Sequence, residues 1–273
     1  MARSGGISFV GAGPGAPDLL TLRAAQRLAG ADVVVWASSL VPAEVLEHCR
    51  SDAEIHDSAG MTLEDVLAVY AGAPEAAIVR LHSGDVSLYS SLTEQLAWCA
   101  EHGRAFEIVP GVGSLAAAAA AAGVELTVPG VAQSAVLTRL GGGRTAASMP
   151  EGESVAQFAR HGTTMAVYLS AARPGLLREE LLTGYPGDTP AVIVAKASRP
   201  DETVIPTTVD GLADALTASG IRTVALVLVG PALHGAGSRS RLYDPGYSHG
   251  CRRRSLAGST VGRPIPPAKR RVP

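Results

Sequence analysis

The run Ile7-Ser-Phe-Val10-Gly11-Ala-Gly13-Pro-Gly15-Ala16 decides the fold class. A short apolar stretch that ends directly in a glycine-rich turn reads as a buried strand feeding a loop. A helical pattern over residues 20–29 follows, and then a second β-rich run at 33–36. Strand, turn, helix and strand open a βαβ unit, which sets parallel strands in one sheet.

The alternation continues outward from that unit. Thr62-Leu-Glu-Asp65 carries a capping-box signal for a helix over 62–71. Runs at 77–81 and 106–109 read as strands, with a helical pattern at 88–101 between them. Pro110-Gly-Val-Gly113 breaks the pattern, and Ala116 to Ala122 then predict a helix that Gly123 stops. Alanine has no bulk, so this helix either packs very close to the core or turns its start, near Gly113 and Ser114, toward a ligand. A second series places strands at 135–140, 164–169, 191–195, 203–207 and 224–229, with helices at 154–160, 175–182 and 211–218. The expectation is two α/β domains with mainly parallel or mixed sheets. They would span 1–113 and 114–256, with a disordered basic tail at 257–273.

Composition narrows the class. The chain has 273 residues, of which 47% are apolar, enough for a large core. The net charge of −2 is uneven, because residues 238–273 hold nine Arg or Lys against one Asp. Such a tail meets a polyanion or is simply solvated. Lysine occurs only at Lys196 and Lys269, so Schiff-base chemistry would rest on Lys196. Three cysteines without CxxC spacing and seven scattered histidines point away from a disulfide framework or a metal site. Aromatics at 4% leave few platforms for stacking nucleic-acid bases. No GxSxG elbow marks a hydrolase. No signal-peptide pattern opens the chain, and no apolar run reaches about 18 residues. A soluble, cytoplasmic protein with no metal, nucleic-acid or membrane partner is expected.

The motifs carry more. Gly11 to Ala16 satisfies GxGxxG/A on paper. However, Pro14 has no N–H to give a pyrophosphate, and Ala37, Ser38 and Ser39 stand where a ribose-binding acid belongs. A ligand without phosphates remains open for this loop. His82-Ser-Gly-Asp85-Val-Ser-Leu-Tyr89 follows the 77–81 strand. Beyond a parallel strand's carboxyl end, Gly-Asp offers backbone donors and a carboxylate to ribose hydroxyls or a cation, or else forms an ordinary capped turn. Arg139, Arg144, Arg173, Arg199 and Arg252 to Arg254 are candidate partners for carboxylates.

The order of these motifs resembles the tetrapyrrole methylase family over residues 7–254. The family-wide parts are the proline-bearing loop 11–17, Ser83-Gly-Asp85 and Pro110-Gly-Val112 before the alanine helix. Ser38-Ser-Leu-Val-Pro42, Asp57-Ser-Ala-Gly-Met-Thr62, Leu137-Thr-Arg139 and the closing 240–249 segment resemble one branch of it. Val86, Gly113 and Gly130 depart from the usual proline, hydroxyl and acidic residues. The resemblance implies a homodimer of two-domain chains that transfer methyl from S-adenosylmethionine to a ring carbon of a precorrin tetrapyrrole. It puts the cofactor in the inter-domain cleft, at Pro14, Ser83, Gly84, Asp85, Leu88, Gly113, Ser114, Leu169 and Ala197. Arg139 and Arg144 would bind substrate carboxylates, and Asp85 and Tyr89 are the candidates for proton transfer. A nicotinamide-binding protein and a non-catalytic ligand-binding protein stand as competing readings.

Overall fold

The computed structural model describes residues 5–141, 149–235, 237–244 and 247. Arg144, Arg252 to Arg254 and the expected tail at 257–273 lie outside the described residues.

Two five-stranded sheets form the molecule. The first holds β1 (Ile7–Gly11), β2 (Val33–Trp36), β3 (Glu54–Asp57), β4 (Ile78–His82) and β5 (Phe106–Val109). Its order is β3-β2-β4-β1-β5, and every pairing is parallel. Helices cover both faces. α1 (Leu22–Ala29) buries Ala24 and Leu28 on Val10, Val34, Val79, Leu81 and Val109. α2 (Leu63–Gly72) and α3 (Leu92–Glu101) bury Val66, Tyr70 and Cys99 on Ile7, Phe9, Val33, Val35 and Ile78. Alternate residues of β1 and β2 thus serve opposite faces, as strand geometry requires.

β1 therefore leads to a helix on one face, while its neighbour β4 leads to α3 on the other. That divergence opens a crevice beyond the strand ends. Glycine lets the backbones meet there. A Cβ on Gly11 would lie 2.6 Å from the Gly111 nitrogen and 2.7 Å from the Gly84 carbonyl oxygen. A Cβ on Gly111 would press still closer on that same carbonyl.

α4 (Ser114–Ala122) leads into the second sheet, made of β6 (Ala135–Arg139), β7 (Thr164–Tyr168), β8 (Pro190–Ala195), β9 (Thr203–Thr208) and β10 (Ala225–Val229). The order is β6-β7-β10-β8-β9. Only β6 and β7 pair in parallel; β10 pairs antiparallel with β7 and β8, and β9 with β8. The cause is connection length. The 196–202 turn is too short for a crossover, so β9 must fold back on β8. α4 covers one face of this sheet, with Ala118 against Ala166, Val192, Val194, Leu226 and Leu228. α5 (Val155–Ala159), α6 (Pro174–Leu181) and α7 (Leu212–Ser219) cover the other.

Two further differences from the sequence reading have local causes. β3 is an edge strand whose Glu54, Ile55 and Asp57 are exposed, so its pattern carries little apolar signal. The helix expected from residue 88 begins at Leu92, because Tyr89 (φ 55°) and Ser91 (φ 45°) are left-handed.

Substituting Gly111→Ala should cost about 2 kcal/mol through forced displacement of the Gly11 and Gly84 backbones, lowering Tm by roughly 4–8 °C. Gly60→Ala, where no atom lies within 4 Å of the added carbon, should leave Tm nearly unchanged. Thermal denaturation followed by circular dichroism compares them, and equal Tm values would refute the steric reading.

Candidate functional site

The crevice between β1 and β4 gathers the segments singled out in the sequence. The β1 loop runs alongside the β4 loop as a small bridge. Gly13 N–H donates to the Gly84 carbonyl at 3.1 Å and Gly84 N–H returns the bond at 2.8 Å. Both glycines are left-handed, with φ of 77° and 68°. Ala12 N–H donates to the His82 carbonyl at 2.7 Å, and Ala16 N–H to Ser198 Oγ at 3.0 Å. Pro14 has no N–H. The loop's donors are therefore committed to its neighbours, with Gly15 the exception. A short 3-10 turn at Pro17–Leu19 follows, and α1 starts only at Leu22. A phosphate-binding loop needs free N–H groups at a helix start. This loop starts no helix and leaves only the Gly15 N–H uncommitted.

Asp85 ties the third strand end into the crevice. Its carboxylate accepts from Gly111 N–H at 2.8 Å, from Ser87 N–H at 2.9 Å and from the Ser87 hydroxyl. Burial works to raise its pKa, but the bonds from Ser87, Gly111 and Val86 prevail and hold it below the ordinary carboxylate value. Gly113 and Ser114 open α4 beside this loop. A Cβ on Gly84 would lie 3.4 Å from the Ser114 nitrogen, and one on Gly113 would lie 3.9 Å from Asp85 Cβ. The alanine helix packs tightly on the second sheet, as the first of its two expected roles requires, and its start lies beside the β4 loop.

The second sheet closes the other side. Arg199 donates to the Leu40 carbonyl and lies against Gly15, so it clasps the two halves together. Tyr89 packs on Tyr168 with ring centroids 5.1 Å apart. Leu169 follows Tyr168 and is 59% exposed, and Leu88 on the opposite wall is also exposed. Arg139 stands in register with Tyr168, close enough for its charge to act on the Tyr89 phenol. Burial, foremost, raises the pKa of both Tyr89 and Tyr168.

Contacts join the segments that carry the expected residues: the Gly13–Gly84 bridge sets the Pro14 loop beside Ser83, Gly84 and Asp85, Gly113 and Ser114 lie next to Asp85 and Gly84, the Ala197 carbonyl lies near Gly15, and the Tyr89–Tyr168 contact brings the loops of Leu88 and Leu169 together beside Arg139. Arg144 falls outside the described residues. Arg173 is used elsewhere, bonding the Leu140 carbonyl at 3.2 Å and the Gly141 carbonyl. Backbone conformation adds a signal that the sequence does not show. Tyr89, Ser91, Leu169, Lys196, Ser198 and Val224 are the described non-glycine residues with positive φ. All but Val224 lie in the loops around the crevice, and such strained residues cluster at functional sites.

A cleft of about 370 Å³ runs under the β4 loop; it shares Ser83, Leu88 and Tyr89 with the crevice and extends to Leu40, Ser58, Arg80 and His82. Arg80 escaped the sequence reading, and His82 entered it only as the first residue of the Ser-Gly-Asp segment. Their trace there as a pair is two polar residues alternating on the inward row of a strand that is otherwise apolar.

Comparison with known proteins agrees with this geometry. Residues 6–213 match the tetrapyrrole (corrin/porphyrin) methylases. The chain is 45% identical over 233 residues to a precorrin-4 C(11)-methyltransferase from Rhodococcus erythropolis, covering 85% of this chain and 93% of that protein. It superposes on the crystal structure of a cobalt-precorrin-4 methyltransferase of cobalamin biosynthesis with a TM-score of 0.80 at 40% identity, covering 83% of this chain and 95% of that one. A uroporphyrin-III C-methyltransferase from Thermus thermophilus, complexed with S-adenosylhomocysteine, matches with a TM-score of 0.72 at 28% identity, covering 85% of this chain and all (100%) of that one. With the match extending over both sheets and the motif-bearing loops, this chain belongs to the tetrapyrrole methylase family.

Proposed function

We propose that the protein transfers a methyl group from S-adenosylmethionine to C11 of precorrin-4, giving precorrin-5 in corrin synthesis. The observation that carries the cofactor choice is the committed donor set of the β1 loop. It lines the crevice yet offers a pyrophosphate only the Gly15 N–H, so a nucleoside without phosphates suits it and a dinucleotide does not. Exposed Leu88 and Leu169 on facing walls offer apolar surface to such a ligand. The precorrin-4 relative and the cobalt-precorrin-4 structure support the substrate, as metal-free or cobalt form. A related methylase acting at another ring carbon is the alternative reading.

The proposed division of labour follows from the side chains. S-adenosylmethionine, when bound, supplies a methyl group already activated on a sulfonium, so the chain need not provide a nucleophile. Ser83, Asp85 and Leu88 would hold its ribose and methionine parts, with Gly113 and Ser114 at the start of α4 and Leu169 and Ala197 on the other wall. Asp85 is a poor proton acceptor at neutral pH, because its hydrogen bonds favour the charged form. Its part is to hold the β4 and β5 loops in register: Oδ1 already takes two bonds from Ser87, and Oδ2, bonded to Gly111 N–H, is the oxygen with a lone pair left for a ligand hydroxyl. Tyr89, with a raised pKa, stays a neutral hydrogen-bond donor. Arg139 would hold a substrate carboxylate. What remains for the chain is orientation, and well-aligned reactants gain about 7–11 kcal/mol in this way. Family membership also supports a homodimer. Among the described residues no helix is long and apolar enough to cross a membrane, which suits a cytoplasmic enzyme.

Calorimetry with S-adenosylhomocysteine and NAD tests the cofactor: the first should bind and the second should not, and the reverse would overturn the reading. Arg139→Ala should raise KM for the tetrapyrrole about tenfold and leave S-adenosylhomocysteine binding intact; an unchanged KM removes that role. Asp85 has a folded pKa below the ordinary 3.8, so its stabilisation is full above that value and is lost as pH falls through the folded one. Asp85→Asn should therefore cost about 1 kcal/mol near neutrality, and the gap to wild type should close in acid. Denaturation at both pH values checks the sign.

A further inference from the structure

β4 has strands on both sides, and its inward row begins with Ile78 packed under α2 and α3. The next two residues of that row are Arg80 and His82. Where they stand the helices stop covering the sheet and the 370 Å³ cleft opens. Arg80 Nη1 donates to Ser58 Oγ at 2.6 Å and to the Val35 carbonyl at 3.4 Å. Its buried Nε has no partner, and it forms no ion pair among the described residues. His82 is 7% exposed, and its buried Nε2 has no partner either. No Asp or Glu is among the described residues lining this cleft.

A guanidinium largely withdrawn from water without a counter-ion is costly. Protein carboxylates normally relieve that cost; here a cavity occupies their place. We propose that Arg80, with Ser58 and His82, is a carboxylate-binding subsite that receives an acidic side chain of the tetrapyrrole. The inference rests on the reading of the substrate as a polycarboxylate macrocycle. Ser58 and the Val35 carbonyl hold Nη1 and Nε is closed off, so Nη2 is the guanidinium nitrogen left to bond a carboxylate, with the full charge beside it. His82 supports this as a neutral donor. Burial, and then the Arg80 charge, push its pKa down to about 3, so it adds a hydrogen bond without a second charge.

Kinetics with precorrin-4 on wild type, Arg80→Gln and Arg80→Lys test the subsite, with S-adenosylhomocysteine calorimetry on each. Arg80→Gln should raise KM for the tetrapyrrole about tenfold or more, change kcat by less than about threefold and leave S-adenosylhomocysteine affinity unchanged. Arg80→Lys should recover part of the loss. An unchanged KM in Arg80→Gln that still binds S-adenosylhomocysteine overturns the proposal. If Arg80→Gln does not fold, Ser58→Ala carries the test, with KM expected to rise about threefold; an unchanged KM again overturns it. A second readout needs no turnover. The His82 ring resonances of wild type, assigned with His82→Asn, should move when uroporphyrin III is added as a probe. A purely structural Arg80–His82 pair leaves them still, and that result sinks the subsite. Wild type that binds S-adenosylhomocysteine but does not methylate precorrin-4 sinks the substrate reading instead.

Discussion

Everything at the crevice depends on three backbones meeting where side chains would keep them apart. Gly11, Gly84 and Gly111 lie at the ends of adjacent parallel strands, and a Cβ at Gly11 or Gly111 would overlap the neighbouring chain. Because they touch, the β1 loop pairs with the β4 loop, and Asp85 reaches Gly111 N–H. That bond fixes the exit from β5 and hence the start of α4. α4 in turn carries the second sheet, with a run of alanines that lets it lie close. A purely local requirement for small residues thus sets how the two sheets face each other.

Much of this was legible in the sequence, for identifiable reasons. Strands such as β1 and β4 are buried on both faces, so they appear as apolar runs closed by glycine. Capping signals such as Thr62 with Asp65 are local and were confirmed, each side chain bonding the other residue's backbone N–H. β3 was not legible, because an exposed edge strand needs no apolar pattern. The late start of α3 was hidden too, since nothing in Tyr89 or Ser91 announces a left-handed backbone; their surroundings impose it.

The site was legible only in part. Glycines and the Ser-Gly-Asp motif mark loops wherever they occur in a chain. Arg199 and Ser198 are different, because their partners Leu40 and Ala16 lie far away in sequence. Arg80 looked like one more arginine in a strand. Only the fold shows that its strand is central, that its row faces inward and that the row ends at an open space. Conversely, Arg173 looked available and is consumed by backbone carbonyls.

The short turn at 196–202 has a consequence beyond folding β9 back on β8. Its residues Ser198 and Arg199 reach across to Ala16 and Leu40, so the same turn that joins β8 to β9 also touches both sides of the opposite wall. It works as a calliper, with the span between its two points fixed by the length of one tight hairpin. The opening is gauged by covalent chain length rather than by soft side-chain packing. A residue inserted in that turn would therefore change which molecules fit between the walls, even though it touched none of them.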